Sequence, residues 1–277
     1  MAAESRLGGL VLKVGPLGER DRLITLLTDA DAITRLAAPG ARRPGSSLAA
    51  AAPFAVLELQ VVGRRGLRRI RQLRVLQSFG RLGQRLDLLA AAQTLMELAL
   101  ALVPDGASCP GLLEALRLHL GQLEEGLRPG EAPHHALAVA VKGCVQLLAL
   151  GGFALPLQRC CCSGAVLEPP LGDWQWRCSL LPGEGVAIGS RPGAALELNA
   201  SELALLQRLL RPRLPRRRSG ELMGPAPAWL QLLACVHSWT SDCLDRPLRS
   251  LELLRGAAGP GAEGSGVSEH GPRIERP

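Results

Sequence analysis

The sequence predicts an α+β protein, with a small five-stranded barrel at the N-terminal end and a mainly α-helical body after it. Three observations predict this. Up to residue 79 the apolar residues fall into five short β-like runs, and beyond Gly80 they recur at a spacing of about 3.6. Glycine, proline and aspartate break the first part at intervals suited to tight turns, whereas the second part opens with three longer runs, 82–102, 109–127 and 136–150. Charge divides at the same place. Residues 1–79 hold thirteen basic and six acidic side chains, a balance of +7, which equals the formal net charge of the whole 277-residue chain.

The β-like runs are residues 9–14, 22–28, 33–38, 54–62 and 67–77. Gly15-Pro16-Leu17-Gly18 separates the first two, and Asp29-Ala30-Asp31 the second and third. A longer connection, 39–52, is rich in Pro, Gly and Ser and carries Ala41-Arg42-Arg43-Pro44. Long connections inside small barrels usually have a role. Gly63-Arg64-Arg65-Gly66 reads as a basic hairpin turn. The last run suits a strand that is part buried and part basic, and a helix also accommodates it. Five strands with a long connection after the third suit a closed barrel of the OB type.

In the second part, residues 82–102, 109–127 and 136–150 read as helices, punctuated by Pro104-Asp105-Gly106 and Arg128-Pro129-Gly130. Residues 157–188 carry cysteines and tryptophans and read as loop. A helix follows at 199–210, where Asn199 with Glu202 three positions on has the form of a capping box. Residues 211–218 are a Pro/Arg-rich linker, and further helices are expected at 228–244 and 246–254. The tail from Gly256 is Gly, Pro, Ser and charge, a composition that predicts disorder. The division is thus 1–80 for the barrel, 81–255 for the helical domain with a cysteine-bearing insertion at about 157–190, and 256–277 for the tail.

Composition excludes several classes. No run of eighteen uncharged apolar residues occurs, so no membrane span is expected. Residues 1–6 lack a hydrophobic signal core, which predicts a cytoplasmic protein whose eight cysteines are thiols or metal ligands. Only Lys13 and Lys142 are lysines, so 30 of the 32 basic residues are arginine. A GC-rich genome explains most of that bias, yet the product is a chain rich in planar, bidentate phosphate donors. Phosphate-binding glycine loops and dinucleotide fingerprints are absent. His134-His135 opens a helix, His119 lies on a leucine-rich one, and His237 has no well-spaced partner or oxyanion motif. ATPase, nuclease and hydrolase readings fall away, and no enzyme is predicted.

What remains is a basic surface for a polyanion. Arg20, Arg22, Arg35, Arg42, Arg43, Arg64, Arg65, Arg68 and Arg69 are the expected phosphate contacts. Arg42 and Arg43 would clamp backbone from the long loop, while Arg20, Arg22 and Arg35 line the barrel face. Cys160, Cys162 and Cys178 give at most three thiolates with no neighbouring histidine. Ser163 stands where the first Cys-x-x-Cys element would end, and Leu181 where the second would. They read as the remnant of a zinc knuckle that has lost its metal, so no cofactor is expected, with bound zinc as the alternative.

The ordered features resemble the bacterial recombination mediator family RecO. The resembling residues are Gly9-Leu10-Val11-Leu12, Gly18 through Thr28, Gly40-Ala41-Arg42-Arg43-Pro44-Gly45-Ser46, Pro53-Phe54, Leu57-Glu58-Leu59 and Gln77-Ser78-Phe79. Downstream, 147–152, Pro156, Cys160 and Ser163-Gly164 continue it, so the likeness runs from about residue 7 to 255 and is dense to Phe79. It implies an N-terminal OB-fold and a C-terminal helical domain carrying a degenerate zinc-ribbon-like insertion. It also implies binding of single- and double-stranded DNA, annealing of complementary strands, and loading of RecA together with RecR and the C-terminal tail of single-strand-binding protein (SSB). DNA repair in a cytoplasmic, nucleoid-associated setting follows. The competing expectation is a docking scaffold whose basic barrel binds an acidic protein rather than DNA.

Overall fold

In the computed structural model, which describes residues 4–63, 66–244 and 247–258, strand β1 (Glu4–Leu17) is the longest strand of the barrel. Its first half pairs with β4 (Ala55–Val62), from Glu4↔Val62 to Leu10↔Val56. Its second half pairs with β2 (Asp21–Thr28), from Gly9↔Thr28 to Leu17↔Asp21. Gly9 and Leu10 pair on both sides, so the strand passes from one partner to the other there, and it begins five residues before the predicted run at Gly9. A side chain at Gly9 would put its Cβ 2.2 Å from the Leu27 carbonyl oxygen, so only glycine passes there. Strand β3 (Ile33–Ala38) pairs with β2, and β5 (Arg68–Ser78) pairs with β4. A short parallel pairing of β3 with β5, Leu36↔Arg68 and Ala37↔Arg69, closes the barrel in the order β1-β2-β3-β5-β4. The fifth run is therefore a strand, and the N-terminal part is the expected five-stranded OB-fold.

Val11, Ile24, Leu26, Leu36, Leu57, Leu59, Val61 and Ile70 fill the barrel. Leu10, Leu12 and Leu27 point the opposite way and join Val56 and Phe79 in the core of the helical body. Strand β2 is thus covered on both sides, which is why it reads as a near-continuous apolar run rather than an alternation.

The body comprises α1 (Leu86–Leu102), α2 (Leu112–Glu125), α3 (His135–Leu150), α4 (Ala200–Arg208), α5 (Ala226–Cys243) and α6 (Ser250–Ala257). Thirteen of the sixteen residues of α3 are buried, as suits a central helix packed on α1, α2 and α5 at once. Gly143 permits this approach, since a Cβ there would lie 2.5 Å from Leu95 Cδ2 and 3.3 Å from the His119 ring. Asp31, in the β2–β3 turn, holds barrel to body. Its carboxylate accepts the N–H of Gly111 and of Leu113, each at 2.8 Å, and so caps the first turn of α2 from another part of the chain. The capping box at α4 forms as expected, with Glu202 N donating to Asn199 Oδ1 and Asn199 N to Glu202 Oε2.

Two expectations are corrected. Residues 157–188 are not all loop, because β6 (Arg177–Leu181) and β7 (Gly185–Ile188) form a three-stranded sheet with β8 (Leu196–Asn199), in the order β7-β6-β8. Strands of four or five residues give too little alternation to register in a sequence. The helix α6 runs on through Gly256 and Ala257, so the tail does not begin at Gly256. The rest of that predicted disorder, 259–277, lies outside the described residues, as does Arg246 at the start of the predicted last helix.

Candidate nucleic-acid interface

One end of the barrel is built from the β1–β2 turn and the connection after β3. Asp21 Oδ1 accepts the Gly40 N–H at 2.7 Å, the Arg42 N–H donates to the Arg20 carbonyl at 3.0 Å, and Arg42 Nη1 donates to the Gly18 carbonyl at 3.1 Å. Gly40 takes a left-handed φ of 65°, and the Arg43 stem passes alongside it. These bonds bring Arg20, Arg42 and Arg43 together although more than twenty residues separate the first from the others. All three side chains are exposed, and among the described residues none forms an ion pair with a carboxylate. Three unneutralised guanidinium groups on a fixed backbone are an anion-binding arrangement.

The other predicted arginines are placed differently. Arg22 is half-buried, and its Nη1 donates to the Ala49 carbonyl at 3.3 Å, fastening the long connection to β2. Arg35 faces solvent on β3 and pairs with Asp105 at 3.6 Å, with side-chain exposures of 58% and 78%. So exposed a pair contributes little stability and yields readily to a phosphate. Arg68 Nη2 donates to Thr34 Oγ1 at 3.3 Å. The Ala37↔Arg69 register puts the exposed Arg69 on the same side of the sheet as Arg35. Arg64 and Arg65 lie outside the described residues. Arg71 pairs with Glu4 at 3.7 Å, and Arg74 stands opposite Glu58 across β4–β5, so part of the barrel's positive charge is met by acid on the strands it adjoins.

The cysteines of the insertion have separate partners. Burial raises the Cys160 thiol, but a hydrogen bond with Ser163 and the backbone N–H of Ile188 outweigh it and bring the pKa down to about 7. Cys178 donates instead to the Leu198 carbonyl at 3.6 Å, and burial pushes its pKa up to about 12. Cys162 is exposed. Among the described residues no group of three or more His, Cys, Asp or Glu side chains converges as a metal would require. With Ser163 and Leu181 at the remaining knuckle positions, the residues present do not fit zinc. His134 and His135 lie with Nε2 against the carbonyls of Gly224 and Gln122, at 3.2 and 2.8 Å, and His119 is buried between α2 and α3.

Comparison with known proteins follows the same two-part division. Residues 1–79 match the family model described as Recombination protein O N terminal, and residues 83–252 match Recombination protein O C terminal. The chain belongs to the RecO family. A DNA repair protein RecO from Prochlorococcus marinus strain MIT 9313 is 61% identical over 259 residues, spanning 93% of this chain and 97% of that one. One from Synechococcus strain WH7803 is 62% identical over 256 residues, with coverages of 92% and 95%. A more distant RecO from Cyanothece strain PCC 7425 is 31% identical over 286 residues, with coverages of 92% and 96%. Family membership places the chain among DNA repair proteins. Among the described residues no helix is long and apolar enough to cross a membrane.

In this RecO-family chain the barrel therefore offers two basic zones. Arg20, Arg42 and Arg43 crown one end, and Arg35 with Arg69 face outward from β3 and β5. The arrangement can neutralise phosphates, and none of its side chains supplies a nucleophile or a general base.

Proposed function

We propose that this RecO-family chain is a non-enzymatic, DNA-binding recombination mediator. Its barrel, residues 1–80, holds single- and double-stranded DNA by the phosphate backbone, and the protein anneals complementary strands. It helps load RecA on SSB-coated single strands, in company with RecR and the SSB C-terminal tail, at the nucleoid. The observation that carries the reading is the unpaired Arg20–Arg42–Arg43 cluster. Annealing needs two polyanions brought close, so its barrier is charge repulsion rather than bond making. Arginines that displace condensed counterions lower that barrier without a chemical step.

The test is annealing of complementary oligonucleotides, followed by fluorescence at moderate salt, with no nucleotide and no added metal. The wild-type chain accelerates it, and the triple charge reversal Arg20→Glu, Arg42→Glu, Arg43→Glu abolishes most of the acceleration. Undiminished annealing by that variant overturns the reading. Loss of an acidic protein partner with DNA binding intact would favour the scaffold reading instead.

A further inference from the structure

The helical body is neutral in sum, which suggested that the positive charge is confined to the barrel; locally it is not. Residues 208–221 hold Arg208, Arg211, Arg213, Arg216, Arg217 and Arg218 against a single acid, Glu221. Arg216 is neutralised by Glu131 at 3.0 Å and Arg217 by Glu221 at 3.7 Å. Arg208, Arg211, Arg213 and Arg218 are exposed, and among the described residues none pairs with a carboxylate. Their backbone is held in place. Gln146 Nε2 donates to the carbonyls of Leu209 and Arg211 at 2.7 and 2.8 Å, and the Met223 N–H donates to the Pro215 carbonyl at 2.9 Å.

Trp174 shares a groove with Arg208 of this segment and is 84% exposed, the one exposed aromatic side chain among the described residues. Its position is built rather than incidental. Asp173 Oδ1 accepts the N–H of Gln175 and of Trp176 at 2.9 and 3.1 Å, a turn that projects the intervening indole outward. Arg177 Nη1 donates to the Trp174 carbonyl at 2.8 Å. Trp174, Leu171, Leu205, Arg208, Met223 and Pro225 line one groove of about 480 Å³. Arg208 Nη1 donates to Met223 Sδ at 3.3 Å within this lining. The barrel has guanidinium groups and no exposed aromatic ring; here the two are combined.

We infer that this groove is a second single-strand-binding surface, in which a base stacks on Trp174 and Arg208 takes the adjacent phosphate, with Arg211 and Arg213, on the chain just after Arg208, taking phosphates beyond the groove. An indole face accepts any base, and a guanidinium group in the same groove accepts the backbone, so the surface would be indifferent to sequence. Glu202 also lines the groove, but its carboxylate is engaged by the Asn199 N–H in the capping box. The choice of nucleic acid over an acidic peptide rests on the DNA-binding reading given above. It deepens that reading, because a molecule that anneals strands needs hold of both, and this surface is formed by elements other than the barrel strands.

The experiment uses the full chain and oligodeoxythymidine as probe, reading anisotropy for affinity and tryptophan emission for this site. Trp229 and Trp239 are buried and Trp176 is half-buried, so emission quenching on binding reports the Trp174–Trp176 turn, and the Trp174 variants assign it to the exposed indole. Trp174→Ala is expected to weaken binding roughly tenfold, toward the low end for one stacked base, and to remove the quenching. Trp174→Phe is expected to keep the affinity while losing the quenching. Replacing Arg208, Arg211 and Arg213 by Ser is expected to lower the salt slope by about 2, at about 0.7 for each phosphate neutralised on a single strand. Wild-type affinity and quenching in these variants would overturn the inference. So would loss of binding to an acidic peptide with oligodeoxythymidine binding unchanged. Replacing Arg20, Arg42 and Arg43 by Ser separates the two claims. If that variant binds as wild type while the Trp174 and Arg208 variants do not, the barrel reading fails and this one stands.

Discussion

Replacing Asp31 by alanine should loosen the junction on which barrel and body depend. The carboxylate accepts two backbone N–H groups at 2.8 Å at the start of α2, at the positive end of the helix dipole. Loss of an N-terminal cap costs about 0.5–2 kcal/mol, and loss of the charge at that end about 0.3–1 kcal/mol. Asp31 also has a left-handed φ of 54°, which alanine adopts at a further cost on the order of 1 kcal/mol. The total is about 2–4 kcal/mol, and at about 2–4 °C per kcal/mol for a chain of this size the melting temperature should drop by at least about 4 °C. Two companion variants divide the effect. Asp31→Asn keeps an oxygen and tolerates the left-handed backbone, so it should lose about 1 kcal/mol, while Asp31→Gly loses the cap and relieves the strain. Cys109, whose N–H donates to the Asp31 carbonyl at 2.9 Å, sits buried beneath the same turn. Burial, and then the Asp31 carboxylate, raise its thiol pKa. Calorimetry with thiol labelling of Cys109 reads both consequences. An Asp31→Ala protein that melts within about 1 °C of wild type and labels no faster at Cys109 would refute the assigned role.

Three further outcomes follow from the interior. His119 is fully buried, and burial, then the Lys142 charge, lower its pKa to about 4 against the opposing effect of the Gln122 and Gln146 side chains. The unfolded chain then takes up the proton first as pH falls, so stability is intact above about pH 6.5 and declines toward about pH 4, by up to roughly 3 kcal/mol. Denaturant titrations across that window should show the slope in wild type and its loss in His119→Leu; parallel slopes would contradict it. Gly143→Ala should cost about 1–3 kcal/mol by overpacking Leu95 and His119, read as a lower urea midpoint, and an unchanged midpoint would count against the close approach of α3. Native-state alkylation followed by mass spectrometry should modify the exposed Cys161 and Cys162 well before Cys144 and Cys235, whose thiols burial raises to about 12. Equal rates would argue against that packing.

The barrel was legible in the sequence because each run between turns is long enough to show its pairing, as at 22–28 and 33–38. The early end of β1 was not, because the strand passes between two partners at Gly9 and Leu10 and begins five residues before the predicted run. The ambiguity of the fifth run has a physical cause. Val75 and Leu76 of β5 are exposed, so half of that strand carries no burial signal. Among the site residues, sequence identified which arginines exist but not which are free. Arg22 is half-buried against the Ala49 carbonyl, and Arg35 and Arg71 pair with the carboxylates of Asp105 and Glu4, partners up to seventy residues away. The gathering of Arg20 with Arg42 and Arg43 depends on the Gly40–Asp21 and Arg42–Arg20 bonds, which no local pattern announces. The Trp174 groove was hidden for a related reason, since a zero net charge over the body concealed the run of arginines at 208–218.

Whether the barrel grips nucleic acid through Arg20, Arg42 and Arg43 is decided by affinity for a single-stranded oligonucleotide across a salt series. Wild type is compared with a variant in which those three arginines are changed to serine. In wild type, log K should fall steeply and linearly with log salt. In the variant the slope should be shallower by about 2, at about 0.7 for each phosphate no longer neutralised. Superimposable lines for the two proteins would mean that the barrel cluster does not hold the strand.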